Sequence, residues 1–506
     1  MVLVEAEDYK FYYPEQTKPA VSIGQWQIEK GTINLIVGTS GCGKTTLLRQ
    51  LMKQSGWKGR EEGILSNRAE QTAYVWQNPE SQIITDRVEY EIVFGLENMG
   101  VPKTRMRRRL AEIVTHFGLE SIWKRDTMDL SGGEKQILNV ASGMAMNPQL
   151  MLLDEPTSQL DPIAARQLYE LLYRISEEYG TTIIIAEQRL EDIVPYADQM
   201  LVMEEGRIAA SGNPRKVYCE LRGTKYDIFF PFYMKLFSDK VVLTKKEARL
   251  AFEQEYESAE REKCQKALPK KTESYIECKK LSLRFEKNGK NILNSCSCNI
   301  PLGMITCLVG SNGSGKTTFL RVLAGILAPF EGKIKGLNGP VCYLPQNPAY
   351  LFLEDTVQQE LKGVTDDNKI LWKLEGLMQR HPSDLSGGER QRLALCKILS
   401  SEAECYLLDE PTKGLDMTRK ETLLEQLKLL KKQNKTVIVV SHDMEFAARI
   451  ADVVGMMFEG EIVALENTRQ FFEGNQFYTT SLHRVCGQLE PHIIIEQDVN
   501  EYAKKK

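Results

Sequence analysis

The sequence predicts an α/β protein in which one folding unit occurs twice, and three observations indicate it. Two glycine-rich segments, GTSGCGKTT from Gly38 and GSNGSGKTT from Gly310, each follow an apolar run of strand length and precede a helical pattern. Behind each of them come QNP, LSGGE and LLDEP in the same order. Each LLDEP closes an apolar run that also has strand length. Such strand–loop–helix units, repeated in order, are typical of tandem α/β domains.

Composition limits the class of protein. At roughly 150 residues per domain, a chain of 506 residues predicts about three domains. The 65 basic and 69 acidic residues leave a formal charge of −4, which argues against nucleic acid as the main partner. No apolar run reaches the roughly 20 residues that cross a bilayer, and the acidic N-terminus does not resemble a signal peptide. The 11 cysteines lack C-x-x-C pairs and are expected to be reduced thiols.

The repeat replaces three domains by two larger ones. We predict a first unit at 1–222, a partly helical linker at 223–271, a second unit at 272–487 and a tail at 488–506. TKKE, from Thr244, predicts a capped helix whose apolar stripe packs on a domain, and a solvated linker remains the alternative. The aromatic cluster from Ile228 is expected to pack on the first unit, and the terminal AKKK to fray. About 50 linker residues span roughly 40 Å, which lets the two halves pair.

Both glycine-rich segments match G-x-x-x-x-G-K-[ST] between a strand and a helix, which predicts a P-loop. Backbone amides and the helix N-terminus would then surround phosphate groups. Lys44 and Lys316 are expected to reach the β- and γ-phosphates, and Thr45 and Thr317 to hold Mg²⁺. The predicted phosphate-binding residues are Gly38, Thr39, Ser40, Gly41, Cys42, Gly43, Lys44, Thr45 and Thr46, with Gly310, Ser311, Asn312, Gly313, Ser314, Gly315, Lys316, Thr317 and Thr318.

The LLDEP segments put two carboxylates at the end of a strand in each half. Asp154 and Asp409 are the predicted Mg²⁺ ligands. Glu155 and Glu410 are then placed to orient or deprotonate an attacking water molecule. The pattern therefore predicts metal-assisted hydrolysis of a nucleoside triphosphate in both halves.

At LSGGEKQ and LSGGERQ the sequence resembles the ATPase subunits of ATP-binding-cassette (ABC) proteins. The resemblance implies that each unit has a RecA-like core, an antiparallel β subdomain and a helical subdomain, with ATP and Mg²⁺ as ligands. It also implies that each signature segment closes on the nucleotide of the opposite half, so that the two halves pair in cis. The signature residues are Ser131, Gly132 and Gly133 in the first half, and Ser386, Gly387 and Gly388 in the second.

The resemblance to ABC ATPases also implies roles for individual residues outside these motifs. Gln77 and Gln346 match the Q-loop, which senses Mg²⁺ and connects to a membrane partner, so both are predicted metal and catalytic residues. Tyr13 and Phe285 stand where the family stacks an aromatic ring on adenine, and ordinary strand core is the alternative. His442 matches the switch histidine at the γ-phosphate.

The first half departs from the family pattern at the switch position. Gln188 stands where His442 stands in the second half. Glutamine forms hydrogen bonds but carries no charge and shuttles no proton. We therefore expect the site with Gln188 to turn over slowly and the site with His442 to carry most hydrolysis. The alternative is that glutamine at position 188 has little effect on hydrolysis in the first site, because Glu155 is intact.

The segment QNPESQIITDRVEYEIVFGLENMG, from Gln77, resembles the ATPases of energy-coupling-factor (ECF) importers. This resemblance implies import of a vitamin, its precursor or a metal ion, and peripheral association with the cytoplasmic face of the cell membrane. The implied partners are a transmembrane scaffold (T) protein and a substrate-capture (S) protein. The second half lacks the FG-x-EN part, so the resemblance does not say whether both halves dock on the membrane partner alike. A soluble tandem-cassette ATPase acting on ribosomes and a tandem ATPase of a sugar or peptide importer are the alternatives.

Overall fold

The computed structural model describes residues 1–52, 58–158, 160–188, 190–258, 275–286 and 289–505. The chain forms two compact units, Met1–Thr244 and Lys245–Lys506. The segment predicted as a linker, 223–271, is therefore divided, because its residues up to Thr244 belong to the first unit.

The first unit has nine strands and seven α-helices in its described residues. The strands are β1 (Val2–Tyr12), β2 (Val21–Glu29), β3 (Ile33–Gly38), β4 (Arg60–Asn67), β5 (Thr72–Val75), β6 (Leu150–Asp154), β7 (Thr182–Ala186), β8 (Gln199–Glu204) and β9 (Arg207–Gly212). The helices are α1 (Lys44–Gln50), α2 (Val88–Asn98), α3 (Lys103–His116), α4 (Gly132–Ala145), α5 (Pro162–Tyr179), α6 (Pro214–Leu221) and α7 (Phe232–Lys235).

These strands form a single sheet in the order β4-β1-β2-β9-β8-β3-β7-β6-β5. Strands β3, β5, β6, β7 and β8 run parallel, whereas β1 pairs with β2 and β4 antiparallel. All residues of β3, β6 and β7 are buried, as expected of parallel strands covered on both faces. The C-terminal ends of these three strands meet at one edge, where α/β folds bind ligands.

The second unit repeats this plan. Its helices are α8 (Lys245–Glu255), α9 (Lys316–Leu323), α10 (Val357–Glu360), α11 (Asp366–Leu371), α12 (Gly387–Leu399), α13 (Met417–Lys432), α14 (Met444–Ile450), α15 (Thr468–Gly474), α16 (Ser481–Cys486) and α17 (Glu496–Tyr502). Its strands are β10 (Tyr256–Ser258), β11 (Tyr275–Leu283), β12 (Leu293–Pro301), β13 (Ile305–Val309), β14 (Glu331–Lys335), β15 (Val341–Leu344), β16 (Cys405–Asp409), β17 (Thr436–Val440), β18 (Val453–Phe458), β19 (Glu461–Asn467) and β20 (Ala503–Lys505).

Its main sheet has the order β15-β16-β17-β13-β18-β19, with a separate antiparallel sheet β12-β11-β14. The central order β16-β17-β13-β18 matches β6-β7-β3-β8 of the first unit. After the Gln segment the second unit has only the short helices α10 and α11, where the first has α2 and α3. The spacing in the sequence predicts this shorter insertion, because Leu130 stands 53 positions after Gln77 and Leu385 only 39 positions after Gln346.

The structure confirms two local predictions and corrects a third. The cluster after Ile228 packs in the first unit, with Tyr233 and Phe237 buried. The pattern KEARLAFEQEYESAEREK after Thr244 predicts a helix, which forms as α8 and buries Ala248, Ala251 and Phe252. The helix ends earlier than this pattern predicts, because Tyr256–Ser258 form strand β10, and the rest of the pattern lies outside the described residues. The prediction of a frayed C-terminus is wrong for Ala503–Lys505, because β20 pairs with β10. No helix in the described ranges is long and apolar enough to cross a membrane.

Candidate functional site

Both glycine-rich segments lie where a central parallel strand gives way to a helix. They join β3 to α1 and β13 to α9, with Gly43 and Gly315 as N-caps at φ 103° and 105°. A Cβ atom on Gly43 would lie 2.8 Å from the carbonyl oxygen of Ala20, so a larger residue would strain the loop. The loops therefore place backbone amides at a helix N-terminus, which is the anion-binding arrangement that the sequence predicts.

A buried lysine spans each loop. Lys44 Nζ donates hydrogen bonds to the carbonyl oxygens of Gly38 (2.8 Å) and Thr39 (3.1 Å). In the second unit, Lys316 Nζ donates to the carbonyl oxygen of Ser311 at 2.8 Å. Both lysines are 6 % exposed or less, and these hydrogen bonds hold their ammonium groups at the loops. An anion that enters either loop meets a fixed positive charge.

The Asp-Glu pairs occupy equivalent places in the two units. Asp154 ends β6 and Asp409 ends β16, and both side chains are buried. The following glutamates have left-handed backbones, with φ 45° at Glu155 and φ 53° at Glu410. This conformation costs a non-glycine residue about 1–2 kcal/mol. Strain retained twice at the same position is typical of a functional site.

The carboxylate of Glu155 accepts two short hydrogen bonds from amide side chains. Gln77 Nε2 donates to Oε2 at 2.7 Å, and Gln188 Nε2 donates to Oε1 at 2.6 Å. Lys44 Nζ lies 3.9 Å from Oε1. The structure thus brings together four residues that the sequence predicts for one site, and both oxygens of Glu155 are engaged by a neutral donor.

Glu410 has different neighbours. His442 Nε2 lies 3.3 Å from Glu410 Oε1, and the backbone N–H of His442 donates to Oε2 at 3.4 Å. Gln346 is exposed. The second glutamate therefore faces an imidazole and a long backbone hydrogen bond, where Glu155 faces two short bonds from glutamine amides.

Oxygen ligands suited to Mg²⁺ lie beside each lysine. Burial raises the pKa of Asp409, and interactions with Thr317 and Lys316 oppose this rise. Both carboxylate oxygens of Asp409 are buried without a hydrogen-bond partner among the described residues. In those residues no group of three or more His, Cys, Asp or Glu side chains could hold a metal alone. One carboxylate with one hydroxyl fits Mg²⁺, which takes its other ligands from water and phosphate.

The raised pKa of Asp154 predicts that the free energy of unfolding depends on pH. Burial, and then the charge of Glu155, raise its pKa from 3.8 to about 6. Between these pH values the folded chain binds a proton that the unfolded chain has lost, so stability falls as pH rises towards about 6. In nucleotide-free buffer with EDTA, Asp154→Asn is expected to be more stable than the wild type at about pH 7.5 and equal to it near pH 4. Thermal unfolding with exposed Asp239→Asn as control measures this, and a difference independent of pH would contradict it.

The predicted aromatic and signature residues have unlike surroundings. Tyr13 OH lies 2.8 Å from Thr46 Oγ1, at the first P-loop, whereas the Phe285 ring is 65 % exposed. Ser131 and Ser386 cap α4 and α12 in capping boxes with the glutamates three residues on. The S-x-x-E spacing could have predicted these boxes. The glycines 132, 133, 387 and 388 form the first turns of the same two helices.

Sequence reasoning missed three buried glutamates around the site. Glu91 and Glu360 bind the loops that follow Gln77 and Gln346. Glu187 lies between β7 and Gln188 and is 2 % exposed. For Glu187 a signal was present, because an acidic residue stands in AEQ where the second half has serine in VSH.

Comparison with known proteins decides the family. Residues 22–158 and 293–413 match the family described as ABC transporter. The chain belongs to the ABC transporter family. As a member with two cassettes it is an ATP-binding ATPase with tandem ABC domains.

Relatives of this ABC protein extend over nearly the whole chain. A Bacillus thuringiensis protein named "Putative ABC transporter ATP-binding protein" is 35 % identical, over 98 % of this chain and 98 % of its own. A Bacillus subtilis protein named "Putative HMP/thiamine import ATP-binding protein" is 29 % identical, over 90 % of this chain and 91 % of its own. The solved complex of an archaeal ribosomal stalk protein and ribosome recycling factor aABCE1 matches at a TM-score of 0.63 and 22 % identity, covering 92 % of this chain and 91 % of that one. At that identity the match concerns the fold.

Proposed function

We propose that the protein is the ATPase subunit of an ECF-type importer, in which it binds a transmembrane scaffold protein at the cytoplasmic face of the membrane. The observation that carries this proposal is an exposed apolar side chain held in the same way in both cassettes, directly after the Gln segment. The relative named for HMP and thiamine import favours a vitamin or its precursor as the substrate.

In the first cassette Glu91 holds the loop from inside. Its Oε2 atom accepts the backbone N–H groups of Ile84 (3.1 Å) and Thr85 (2.8 Å), and the Thr85 hydroxyl at 3.0 Å. Glu91 is 6 % exposed, while Ile84 is 69 % exposed. A buried carboxylate thus fixes the backbone that turns Ile84 outward.

The second cassette has the same arrangement. Glu360 is buried and accepts the backbone N–H groups of Leu353 and Glu354, and Lys397 Nζ binds its other oxygen at 2.6 Å. Leu353 is 89 % exposed. Loops that are hydrogen-bonded to a buried carboxylate and expose a single large apolar residue suit docking of an apolar helix end from a membrane protein. The second cassette keeps this device although it lacks FG-x-EN, which supports docking by both halves.

Substitution of the exposed residues is expected to weaken membrane association. Ile84→Glu and Leu353→Glu place a charge where an apolar contact would form, at a cost on the order of 2 kcal/mol or more each. The matched controls are Ile64→Glu and Val463→Glu, at positions that are each 55 % exposed on other parts of the two units. We expect the first pair, and not the control pair, to lose co-purification with membrane proteins from the native host. Equal retention by all four variants would contradict the proposed docking site.

Co-purification of the wild-type chain tests the proposed function itself. Importer function predicts recovery from detergent-solubilised membranes with a scaffold protein and a small substrate-capture protein. Co-sedimentation with ribosomes, without membrane association, would overturn the proposal in favour of a soluble tandem ATPase.

We also propose the roles of the nucleotide-site residues. Lys44 and Lys316 bind the phosphates, and the Thr45–Asp154 and Thr317–Asp409 pairs would hold Mg²⁺, which supplies charge neutralisation at the phosphates. Glu155 and Glu410 orient the attacking water molecule. The two short amide bonds on Glu155 support a slow first site, because they occupy both oxygens of the carboxylate that has to accept a proton from water. Pairing of the two cassettes in cis stays a prediction from the resemblance.

A further inference from the structure

Glu187 is a buried carboxylate without an assigned role beside the first nucleotide site. Its backbone N–H donates to the carbonyl oxygen of Ile36 at 3.0 Å, which ties it to the strand before the P-loop. Its Oε1 atom accepts the hydroxyl of Thr157 at 2.5 Å and the backbone N–H of Thr157 at 3.2 Å. Its Oε2 atom accepts the backbone N–H of Gln188 at 3.0 Å. Both carboxylate oxygens therefore have partners in segments that carry site residues.

Tyr169, on α5, completes this network. Its hydroxyl lies 2.9 Å from Thr157 Oγ1, and its side chain is 2 % exposed. Since the Thr157 hydroxyl donates to Glu187, the Tyr169 hydroxyl is the donor to Thr157. Hydrogen bonds of this number offset the cost of burying a carboxylate, and removal of one partner leaves the others unsatisfied.

The second cassette lacks these partners at the equivalent positions. Ser441 replaces Glu187 at the end of β17, and Leu424 replaces Tyr169 on α13. Thr412, equivalent to Thr157, is 3 % exposed, and its hydroxyl has no hydrogen-bond partner within the part of the chain that the structure describes. The network therefore belongs to the cassette that has glutamine at the switch position.

We infer that Glu187 is a positioning residue for ATP hydrolysis in the first cassette: it holds the segment after Glu155, through Thr157, and the Gln188 backbone, and so fixes the position of the Glu155 carboxylate. In the second cassette the backbone N–H of His442 points to Glu410. In the first, Glu187 takes the equivalent N–H, and the Gln188 side chain contacts the catalytic carboxylate instead. This inference rests on ATPase activity and is independent of transport.

The test uses the full chain with Glu410→Gln, so that hydrolysis comes from the first cassette. Glu187 accepts the backbone N–H groups of Thr157 and Gln188, and in Glu187→Gln the side-chain NH₂ group faces one of them, so that hydrogen bond is lost. Thr157→Val removes the hydroxyl that donates to Glu187. We expect each to lower kcat about tenfold, with KM for ATP within about twofold, in single-turnover and steady-state assays. Thr157→Ser keeps the hydroxyl and is expected to retain the rate. The combined Glu187→Gln and Thr157→Val variant should be no slower than either alone, because both break one network.

The matched control is Thr412→Val in a chain with Glu155→Gln, which should leave the second-cassette rate unchanged. Thermal unfolding identifies variants that fail to fold. If Glu187→Gln is one of them, the test is made with Thr157→Val alone. A folded variant with unchanged kcat, or one altered in KM alone, would overturn the positioning role. The positioning role would also be overturned if the chain with Glu410→Gln alone hydrolysed ATP no faster than a chain with both Glu155→Gln and Glu410→Gln. The first cassette would then have no hydrolysis rate of its own.

Discussion

Glu410→Gln is expected to remove more than about nine-tenths of steady-state ATP hydrolysis, while Glu155→Gln leaves more than about half of it. The reason is the different state of the two carboxylates. Glu410 lies 3.3 Å from His442 Nε2, whereas Glu155 accepts bonds of 2.6 and 2.7 Å from two glutamines. A carboxylate must exchange such bonds for one to water before it can act as a base. Phosphate release at saturating ATP and Mg²⁺ measures both rates.

The two substitutions are each other's control, because both glutamates directly follow a buried strand and have the same left-handed backbone. Nucleotide binding by each variant shows whether the site still forms. Equal loss of activity from the two variants would show that the cassettes contribute alike.

His442→Gln is expected to lower the steady-state rate about tenfold, because a neutral amide replaces the only imidazole beside Glu410 among the described residues. The reverse change, Gln188→His, releases one oxygen of Glu155 from its amide donor. In a chain with Glu410→Gln, it should raise the remaining first-cassette rate. Phosphate release over a range of pH measures both effects.

His442→Asn is the control for the His442→Gln result, since it removes the imidazole but has a shorter reach to Glu410. An unchanged rate in His442→Gln would mean that the switch side chain does not set the difference between the cassettes. An unchanged first-cassette rate in Gln188→His would show that the amide of Gln188 does not slow the first cassette.

Much of the fold and the site could be predicted from sequence, because their determinants are local. The P-loops need glycine at positive φ, as at Gly43 and Gly315, and the apolar runs before Asp154 and Asp409 are long enough only for strands. A repeat of four segments in one order then predicts two domains of one fold. Because the repeat aligns the two halves, the sequence also shows that Gln188 stands in the first half where His442 stands in the second.

The remaining features depend on contacts between distant segments. The bonds of Glu187 to Thr157, and of Glu91 to the loop at Ile84, join residues that periodicity does not relate. Strand β20 forms because residues near position 256 offer a partner edge, although Lys504 and Lys505 suggest a solvated end. For Glu187 and Glu91 tertiary contacts override the expectation that charged residues face water, whereas Lys504 and Lys505 stay exposed within β20.

A single-turnover experiment on the wild-type chain shows directly whether the two cassettes hydrolyse ATP unequally. The protein is loaded with labelled ATP without Mg²⁺, and hydrolysis is started by adding Mg²⁺ with excess unlabelled ATP. Unequal cassettes predict two phases of equal amplitude, one ATP per chain each, with the slow phase at least about tenfold slower and abolished by Glu155→Gln. A single phase that consumes both ATP molecules at one rate would contradict this prediction.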